Sequence, residues 1–218
     1  MTPAAVLFDN DGLLLDTEVV WTRAEVVLFQ RHGETFTLEH KREMIGTSVT
    51  ESTAILERQL DAPGRGPELM DELHELVMEE ALRGVEPMPG AVELLSALRG
   101  AGVPVGLVSN SPRSFVESGL RSAGLEGAFA VLVTGEEVAR PKPAPDAYVA
   151  AAVALGAAPS ECAVLEDSPT GVAAGRAAGA LTIGVPSVPG VTLEADVVAA
   201  SLEDPAVWLA LGLEAAAA

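Results

Sequence analysis

Short apolar runs recur along the chain, and each is bounded by Gly, Pro or polar residues. Their apolarity is continuous and does not alternate with polar positions, which is typical of parallel strands covered on both faces. We therefore predict five strands, at residues 4–8, 103–108, 131–134, 162–166 and 181–185.

Segments with helical spacing of apolar residues lie between most of these runs. In residues 91–102, Val92, Leu95 and Leu98 recur at helical intervals, and Gly100 and Gly102 end the helix. The other predicted helices are residues 114–123, 145–155 and 169–178. Strand–helix alternation predicts an α/β fold with a Rossmann-like core, in which helices cover a doubly wound parallel sheet.

Residues 17–86 interrupt this alternation. They contain VVWTRAEVVLFQRHG and the long charged section ELMDELHELVMEEAL, both helical in pattern, and no convincing strand. The Pro and Gly residues of GVEPMPGA, residues 84–91, predict a hinge. We expect two domains, an α/β core of residues 1–16 and 87–218 and an inserted helical domain of residues 17–86.

Composition narrows the classes of partner. Of 218 residues 49% are apolar, which is enough for a large core, and the net charge of −19 argues against DNA, RNA or an anionic membrane surface as a partner.

The single cysteine, Cys162, excludes an intramolecular disulfide, which fits a reducing compartment. The first ten residues lack a secretory pattern, and no apolar run reaches the roughly 18–20 residues of a membrane helix. We expect a cytoplasmic protein.

Polar residues follow four of the predicted strands. In an open parallel sheet, ligands bind beyond the carboxyl ends of the strands, so these residues are expected to converge. They are Asp9, Asn10, Asp11 and Gly12 after the first strand, Ser109, Asn110 and Ser111 after the second, Lys142 after the third, and Glu166, Asp167 and Ser168 at the end of the fourth.

The acidic opening, VLFDNDGLLLDTE, brings together like charges that resist burial unless a cation lies among them. Asp9 and Asp167 offer oxygen ligands to a hard divalent cation, and Mg²⁺ is the default choice because it keeps waters and a phosphate oxygen. Ser109 and the amides near Asn110 can bind the oxygens of an anion, and Lys142 adds positive charge. A carboxylate beside a metal and a lysine is suited to nucleophilic attack on an electrophile that would otherwise repel it.

Four segments resemble, in order, the motifs of the haloacid dehalogenase superfamily: FDNDGLLLDTE, VSNS, RPKPAPD and LEDSPTGVAAGRAAG. The resemblance extends over residues 4–185. It implies that the helical insertion is a cap domain, of the subgroup that holds small sugar-phosphate phosphatases and phosphomutases. The activity expected from it is Mg²⁺-dependent hydrolysis of a small phosphorylated metabolite.

The resemblance also implies a role for each matching position. Asp9 would attack phosphorus and form an aspartyl-phosphate, while Lys142 pairs with it. Asp11 would protonate the leaving oxygen and then activate water. Asp9, the backbone carbonyl of Asp11 and Asp167 would bind Mg²⁺, with Glu166 as a nearby or water-mediated ligand.

The remaining positions would contact the substrate. Ser109 and Lys142 would hold the transferring phosphoryl group, with the amides near Asn110 assisting. Gly12 would allow close approach of the backbone at a tight turn. Arg113, just past the second motif, would face the leaving group.

Competing chemistries differ in what they require. A serine hydrolase is disfavoured because there is no G-x-S-x-G elbow and no histidine outside the insertion. Dehalogenases and phosphonate hydrolases of the superfamily lack an acid at the position of Asp11, although Lys41 could serve as the cap lysine that phosphonate hydrolases use.

A phosphomutase of the β-phosphoglucomutase type is the main alternative, but its relatives carry a histidine and an arginine where this chain has Trp21 and Val49. A non-catalytic binding protein on the same fold is the other alternative.

Substrate choice is expected to depend on the cap. Residues 41–52 are the best candidates for a specificity loop, because Lys41 and Arg42 are cationic and the GTSVT run is small and polar.

Trp21 is interpreted as a residue buried under the cap, with a substrate-stacking platform as the alternative. The three histidines of the insertion are expected on its surface. The expected oligomeric state is a monomer or a weak homodimer.

Overall fold

The computed structural model describes residues 2–44, 49–188 and 190–214, with residues 49 and 50 described by their backbone alone. The chain forms two compact units, residues 1–16 with 86–218, and residues 17–85. Within the described residues, no helix combines the length and the apolarity that a membrane span requires.

The strands of the described residues are β1 (Ala5–Phe8), β2 (Val105–Ser109), β3 (Val131–Thr134), β4 (Cys162–Glu166), β5 (Leu181–Gly184) and β6 (Val197–Val198). The helices are α1 (Thr17–Arg31), α2 (Leu38–Met44), α3 (Val49–Gln59), α4 (Gly66–Ala81), α5 (Ala91–Gly100), α6 (Arg113–Ser122), α7 (Asp146–Ala154), α8 (Pro169–Ala178) and α9 (Pro205–Ala210).

The six strands form one sheet in the order β3-β2-β1-β4-β5-β6, and every neighbouring pair is parallel. The chain moves outward from β1 to β2 and β3 on one side, and then returns to β4 and continues outward on the other. This reversal between β1 and β4 is the topological switch point of a doubly wound sheet. The predicted fold class is confirmed.

The α5 helix shows how the apolar pattern and the observed burial differ. Its buried residues are Ala91, Leu94, Leu95 and Leu98, at the i, i+3, i+4 and i+7 positions of one face. Val92 lies off this stripe and is 46% exposed. Of the three residues that recur at helical spacing in the sequence, Leu95 and Leu98 are therefore buried, whereas Val92 is not.

Strand register places the acidic residues on one face of the sheet. Leu7 of β1 pairs with Val164 of β4, and Phe8 pairs with Leu165. Because successive side chains of a strand point to opposite faces, Leu7 and Val164 share the face on which Asp9 and Glu166 follow two residues later. An apolar cluster covers that face: Ala5, Leu7, Val108, Val133, Ala147, Tyr148, Ala151, Ala152, Cys162, Val164, Ala174 and Ala180.

The inserted unit is helical, and its described residues contain no strand. Its longest helix, α4, buries Leu69, Leu73, Leu76 and Val77, among others, as expected of an amphipathic helix. Lys41 of α2 is largely buried, and its Nζ lies 3.0 Å from Glu18 Oε2 and 3.0 Å from Glu25 Oε2, both carboxylates of α1. The charge of Lys41 is thus engaged within this unit.

The aromatic and histidine side chains of this unit are only partly on the surface. His74 is exposed and meets the edge of the half-buried Trp21 ring, with 6.0 Å between centroids. His32 and His40 are half-buried, His32 beside Glu72 at 3.0 Å and His40 against the ring of Phe29. His74 thus lies on the surface as expected, and His32 and His40 are partly exposed.

Residues 45–48 and the side chains of Val49 and Thr50 lie outside the described residues. The predicted specificity segment, residues 41–52, falls largely on this part of the chain. Its role in substrate choice, and the comparison made at Val49, therefore stay predictions.

Candidate active site

The switch point brings together the residues that follow β1 and β4. The amide of Asp9 donates a hydrogen bond to the carbonyl of Leu165 at 3.0 Å, which extends the β1–β4 pairing by one residue. Asp9 therefore lies beside Glu166, at the position where doubly wound sheets bind ligands. Both side chains are buried.

Lys142 reaches this point from the loop after β3. Its Nζ donates to Asp9 Oδ1 at 2.5 Å, to Glu166 Oε1 at 2.6 Å and to the carbonyl of Val108 at 2.9 Å. Burial alone would lower the pKa of Lys142, but the carboxylates of Asp9 and Glu166 raise it well above its ordinary value. Lys142 is therefore a permanent positive charge held between two buried carboxylates.

Glu166 accepts hydrogen bonds at both carboxylate oxygens. Oε1 receives Lys142 Nζ and the hydroxyl of Tyr148 at 2.6 Å, and Oε2 receives the amide and hydroxyl of Ser168 and the amide of Asp167. A Cβ at Gly171 would overlap this carboxylate, so glycine on the first turn of α8 makes room for it. These donors allow Glu166 to be fully buried without an uncompensated acceptor.

Three carboxylates form a cluster that can hold a metal ion. Ligand atoms of Asp9, Glu166 and Asp167 all lie within 4.8 Å of one another. Burial and then the charge of Glu166 raise the pKa of Asp9 well above its ordinary value, because these acids resist ionising together. A hard divalent cation would relieve that repulsion, and an all-oxygen donor set fits such an ion. The residues present therefore fit the metal implied by the sequence.

Asp167 is fixed by a residue from the loop after β5. Ser187 Oγ donates to Asp167 Oδ2 at 2.5 Å. Gly12 is at φ +83°, and a Cβ there would clash with Asp167 Oδ2 and crowd Ser187 Oγ. Glycine at position 12 thus permits the turn after β1 to approach the carboxylate of Asp167. Burial raises the pKa of Asp167 to about 7.

Asp11 is oriented by three donors. Ser109 Oγ and Ser111 Oγ each donate to Asp11 Oδ2 at 2.8 Å, and Asn10 Nδ2 donates to Oδ1 at 3.1 Å. Ser109 Oγ also accepts from the amide of Ser111 at 2.9 Å. The turn after β2 therefore holds the second acid of the first motif through its hydroxyl groups.

Two residues predicted to contact substrate are engaged elsewhere. The side chain of Asn110 bonds to the backbone of Lys142. The guanidinium of Arg113 donates to Glu117, Glu137 and the carbonyl of Leu132, so the structure does not bring it to the carboxylate cluster. The other predicted residues lie together at the carboxyl ends of β1, β2 and β4.

The sequence did not single out Tyr148 or Ser187. Ser187 follows β5, so the search for polar residues after each strand could have included it. Ser111 was named among the residues after the second strand, but no role was assigned to it. Tyr148 carries no such signal, because it is one residue of an otherwise apolar stretch of α7.

Comparisons with known proteins agree with this geometry. The chain is 38% identical over 185 residues to hexitol phosphatase A of Escherichia coli, covering 82% of this chain and 81% of that protein. It is 34% identical over 187 residues to the bifunctional riboflavin kinase/FMN phosphatase of Arabidopsis thaliana. The match covers 85% of this chain but only 49% of the longer relative.

A solved structure gives the same fold. It is that of a provisionally assigned β-phosphoglucomutase from Thermotoga maritima, with a TM-score of 0.80, 27% identity, and coverage of 93% of this chain and 96% of that one. The family model for haloacid dehalogenase-like hydrolases matches residues 3–179, which include all four motifs. The chain belongs to the haloacid dehalogenase-like hydrolases.

Proposed function

We propose that this protein is a Mg²⁺-dependent phosphatase that hydrolyses a small phosphate monoester through an aspartyl-phosphate on Asp9. The observation that carries the proposal is the contact of Lys142 Nζ with Asp9 Oδ1, 2.5 Å long, inside a cluster of carboxylates able to hold a cation. A buried carboxylate flanked by a fixed positive charge is suited to approach an anionic phosphoryl group.

In the first step, a carboxylate oxygen of Asp9 forms a bond to phosphorus while the ester P–O bond breaks. Asp11, in its protonated form, donates its proton to the leaving oxygen, so the alcohol departs neutral. The phosphoryl group is then covalently attached to Asp9. Ser109 and Lys142 donate hydrogen bonds to its oxygens.

In the second step, the Asp11 carboxylate takes a proton from water as the water oxygen attacks phosphorus. The bond between Asp9 and phosphorus breaks, which releases inorganic phosphate and restores the carboxylate of Asp9. Asp11 ends this step protonated and ready for the next substrate. One water is consumed, and one alcohol and one phosphate are formed.

Asp9, Asp167 and Glu166 are the side chains that would hold Mg²⁺, together with the backbone carbonyl of Asp11. When bound, the ion neutralises charge on the phosphoryl oxygens and so helps an anionic nucleophile approach an anionic substrate. The pKa of Asp9, raised by burial and by Glu166 in the metal-free site, supports this assignment, because a cation would favour the ionised and nucleophilic form.

A sugar or sugar-alcohol phosphate is the proposed class of substrate. The names of two relatives support it, because one is a hexitol phosphatase and the other has FMN phosphatase activity in its name. The hydroxyls of Ser109 and Ser111 fix the orientation of the Asp11 carboxylate, which is the residue proposed to exchange protons with the leaving oxygen and with water. Phosphatase is preferred to phosphomutase because these curated relatives are phosphatases, whereas the mutase-like neighbour shares the fold at 27% identity.

The test is phosphate release from a panel of sugar, sugar-alcohol and small-metabolite monoesters, with Mg²⁺ or with EDTA. The panel includes β-glucose 1-phosphate, with a coupled assay for glucose 6-phosphate. Wild type is compared with Asp9→Asn, which we expect to lose activity by about 10³-fold or more. Glu203→Gln, at an exposed side chain, is the matched control for replacing a carboxylate with an amide.

Phosphate release that requires Mg²⁺, is lost in Asp9→Asn and survives in Glu203→Gln would support the proposal. Acid quenching of ³²P-labelled substrate should also trap label on wild type but not on Asp9→Asn. Formation of glucose 6-phosphate without net phosphate release would establish the mutase instead. Activity that persists in Asp9→Asn would overturn the assignment of the nucleophile.

A further inference from the structure

Tyr148 is a polar residue inside an apolar cluster. It is the only tyrosine of the chain, it lies on α7, and it is 1% exposed. Around it are apolar side chains of β1, β2 and β4. A buried hydroxyl needs a hydrogen-bond partner, and here the partner is Glu166 Oε1 at 2.6 Å.

Tyr148 contacts the reactive cluster in two ways. Its hydroxyl donates to the same oxygen of Glu166 that receives Lys142 Nζ. Its ring lies below the ammonium group, with 4.8 Å from Lys142 Nζ to the ring centroid, which is within cation–π range. The tyrosine therefore touches both the lysine and the counter-ion of the lysine.

The hydrogen bonds of Glu166 explain why the hydroxyl matters. Oε2 is held by three donors from Asp167 and Ser168, and among the described residues the donors to Oε1 are Lys142 and Tyr148. Removing the hydroxyl leaves Lys142 as the one side-chain donor described at Oε1. The carboxylate could then turn about its bonds at Oε2. Lys142 Nζ would lose one of its three fixed acceptors and would be held only by Asp9 and the carbonyl of Val108.

We propose that Tyr148 is a positioning residue, whose hydroxyl fixes the Glu166 carboxylate and thereby holds the Lys142 ammonium against Asp9. The consequence for turnover rests on the proposed phosphatase function. The consequence for the order of Lys142 does not, because it concerns the protein alone. A core tyrosine that merely satisfies its own hydroxyl would affect stability without affecting Lys142.

The sequence offers a direct readout. Lys41 and Lys142 are the only lysines, so protein labelled with ¹⁵N-lysine gives at most two side-chain ammonium resonances, assigned with Lys41→Arg. In Tyr148→Phe, which keeps the ring and loses the hydroxyl, we expect the Nζ order parameter of Lys142 to fall clearly below its wild-type value. Lys41, held by Glu18 and Glu25, serves as the internal reference and should not change.

Thr182→Val is the matched control. Thr182 is fully buried on β5, and its hydroxyl donates to the carboxylate of Asp196 at 2.8 Å. This variant loses a part-buried hydrogen bond from a hydroxyl to a carboxylate, and also the bond that Thr182 Oγ1 accepts from the amide of Asp196, but both are away from Lys142. It should reproduce the loss of thermal stability and leave the Lys142 order parameter unchanged.

Steady-state kinetics provide a second test of the positioning role of Tyr148. In Tyr148→Phe we expect kcat to fall about tenfold, as for one hydrogen bond to a charged group. KM should stay within about twofold, because Tyr148 does not touch the substrate. Thr182→Val should keep the wild-type kcat. In an active enzyme the proposal requires both the loss of order and the loss of kcat, and the absence of either one overturns it.

The two proposals fail in different ways. A wild-type protein that hydrolyses none of the monoesters would defeat the phosphatase assignment, and the NMR arm alone would then decide the role of Tyr148. Wild-type order at Lys142 in Tyr148→Phe would overturn the positioning role even if phosphatase activity were established.

Discussion

Asn110 and Lys142 are joined by two hydrogen bonds that run in opposite directions. The amide of Lys142 donates to Asn110 Oδ1 at 3.0 Å, and Asn110 Nδ2 donates to the carbonyl of Lys142 at 3.1 Å. Asn110 follows β2, whereas Lys142 lies in the loop after β3. One carboxamide therefore fixes the backbone from which the buried lysine extends toward Asp9.

We expect Asn110→Ala to lower kcat about tenfold, because it removes both bonds, each contributing about 1 kcal/mol. Asn110→Asp keeps the acceptor but replaces the donor with an oxygen that repels the carbonyl of Lys142, and it should be at least as harmful. The measurement is kcat and KM at saturating Mg²⁺. Ser114→Ala, at an exposed residue nearby on α6, is the control and should match wild type. Wild-type kcat in Asn110→Ala would contradict the role of this clamp.

Substitutions at Ser109 and Ser111 should distinguish the orientation of Asp11 from the binding of the phosphoryl group. Both hydroxyls donate to Asp11 Oδ2 at 2.8 Å. Under the proposed mechanism the Ser109 hydroxyl, which has a single hydrogen, turns from Asp11 to the phosphoryl group, whereas Ser111 stays on Asp11. Ser111→Ala should lower kcat about threefold to tenfold with little change in KM, since it loses one hydrogen bond to a charged group. Ser109→Ala should lower kcat further and also raise KM. Steady-state kinetics on the same substrate check both, and equal effects on KM would contradict the division of roles.

Much of the core could be predicted from sequence, because strands covered on both faces are continuously apolar. β1 and β4 are examples, and both were predicted to within a residue. β6 was missed, because two half-exposed or exposed valines, Val197 and Val198, do not form an apolar run. Its pairing with β5 is a tertiary feature that no local pattern encodes.

The candidate site was likewise predictable from the sequence only in part. Asp9, Asp11, Ser109, Lys142 and Asp167 could be named because each stands in a quoted motif or directly follows a strand. What could not be predicted is which group each side chain contacts. Arg113 looked available in sequence, yet Glu117 and Glu137 compete for its guanidinium. Tyr148 lies on a helix face, where the sequence pattern indicates that it is buried but does not indicate that its partner is a carboxylate.

Ser187 should tune metal affinity. Its hydroxyl holds Asp167 Oδ2, and groups that orient metal ligands typically change affinity by about 10–100-fold when removed. We expect Ser187→Ala to weaken Mg²⁺ binding within this range while kcat at saturating Mg²⁺ stays close to wild type. Calorimetric titration with Mg²⁺ measures the affinity without substrate. Ser201→Ala is the control, and an unchanged affinity in Ser187→Ala would contradict the prediction.

The metal-free protein should lose stability as pH rises, because of Asp167. Burial and the charge of Glu166 raise the pKa of Asp167 from 3.8 to about 7. Between these values the folded state keeps a proton that the unfolded chain has released, so stability falls as pH rises through the window and the loss is complete above about pH 7. Asp167→Asn removes this titration.

In EDTA at pH 8 we therefore expect Asp167→Asn to melt several °C above wild type. The difference should disappear as pH falls toward 4, where Asp167 is protonated in both states. Mg²⁺ at pH 8 should raise the melting temperature of wild type, because it binds the folded state, and should do so much less in the variant. Differential scanning calorimetry across pH 4–8 provides the comparison. A variant less stable than wild type at pH 8 without metal would mean that the ionised carboxylate stabilises the fold, contrary to the crowding of Asp9, Glu166 and Asp167 within 4.8 Å.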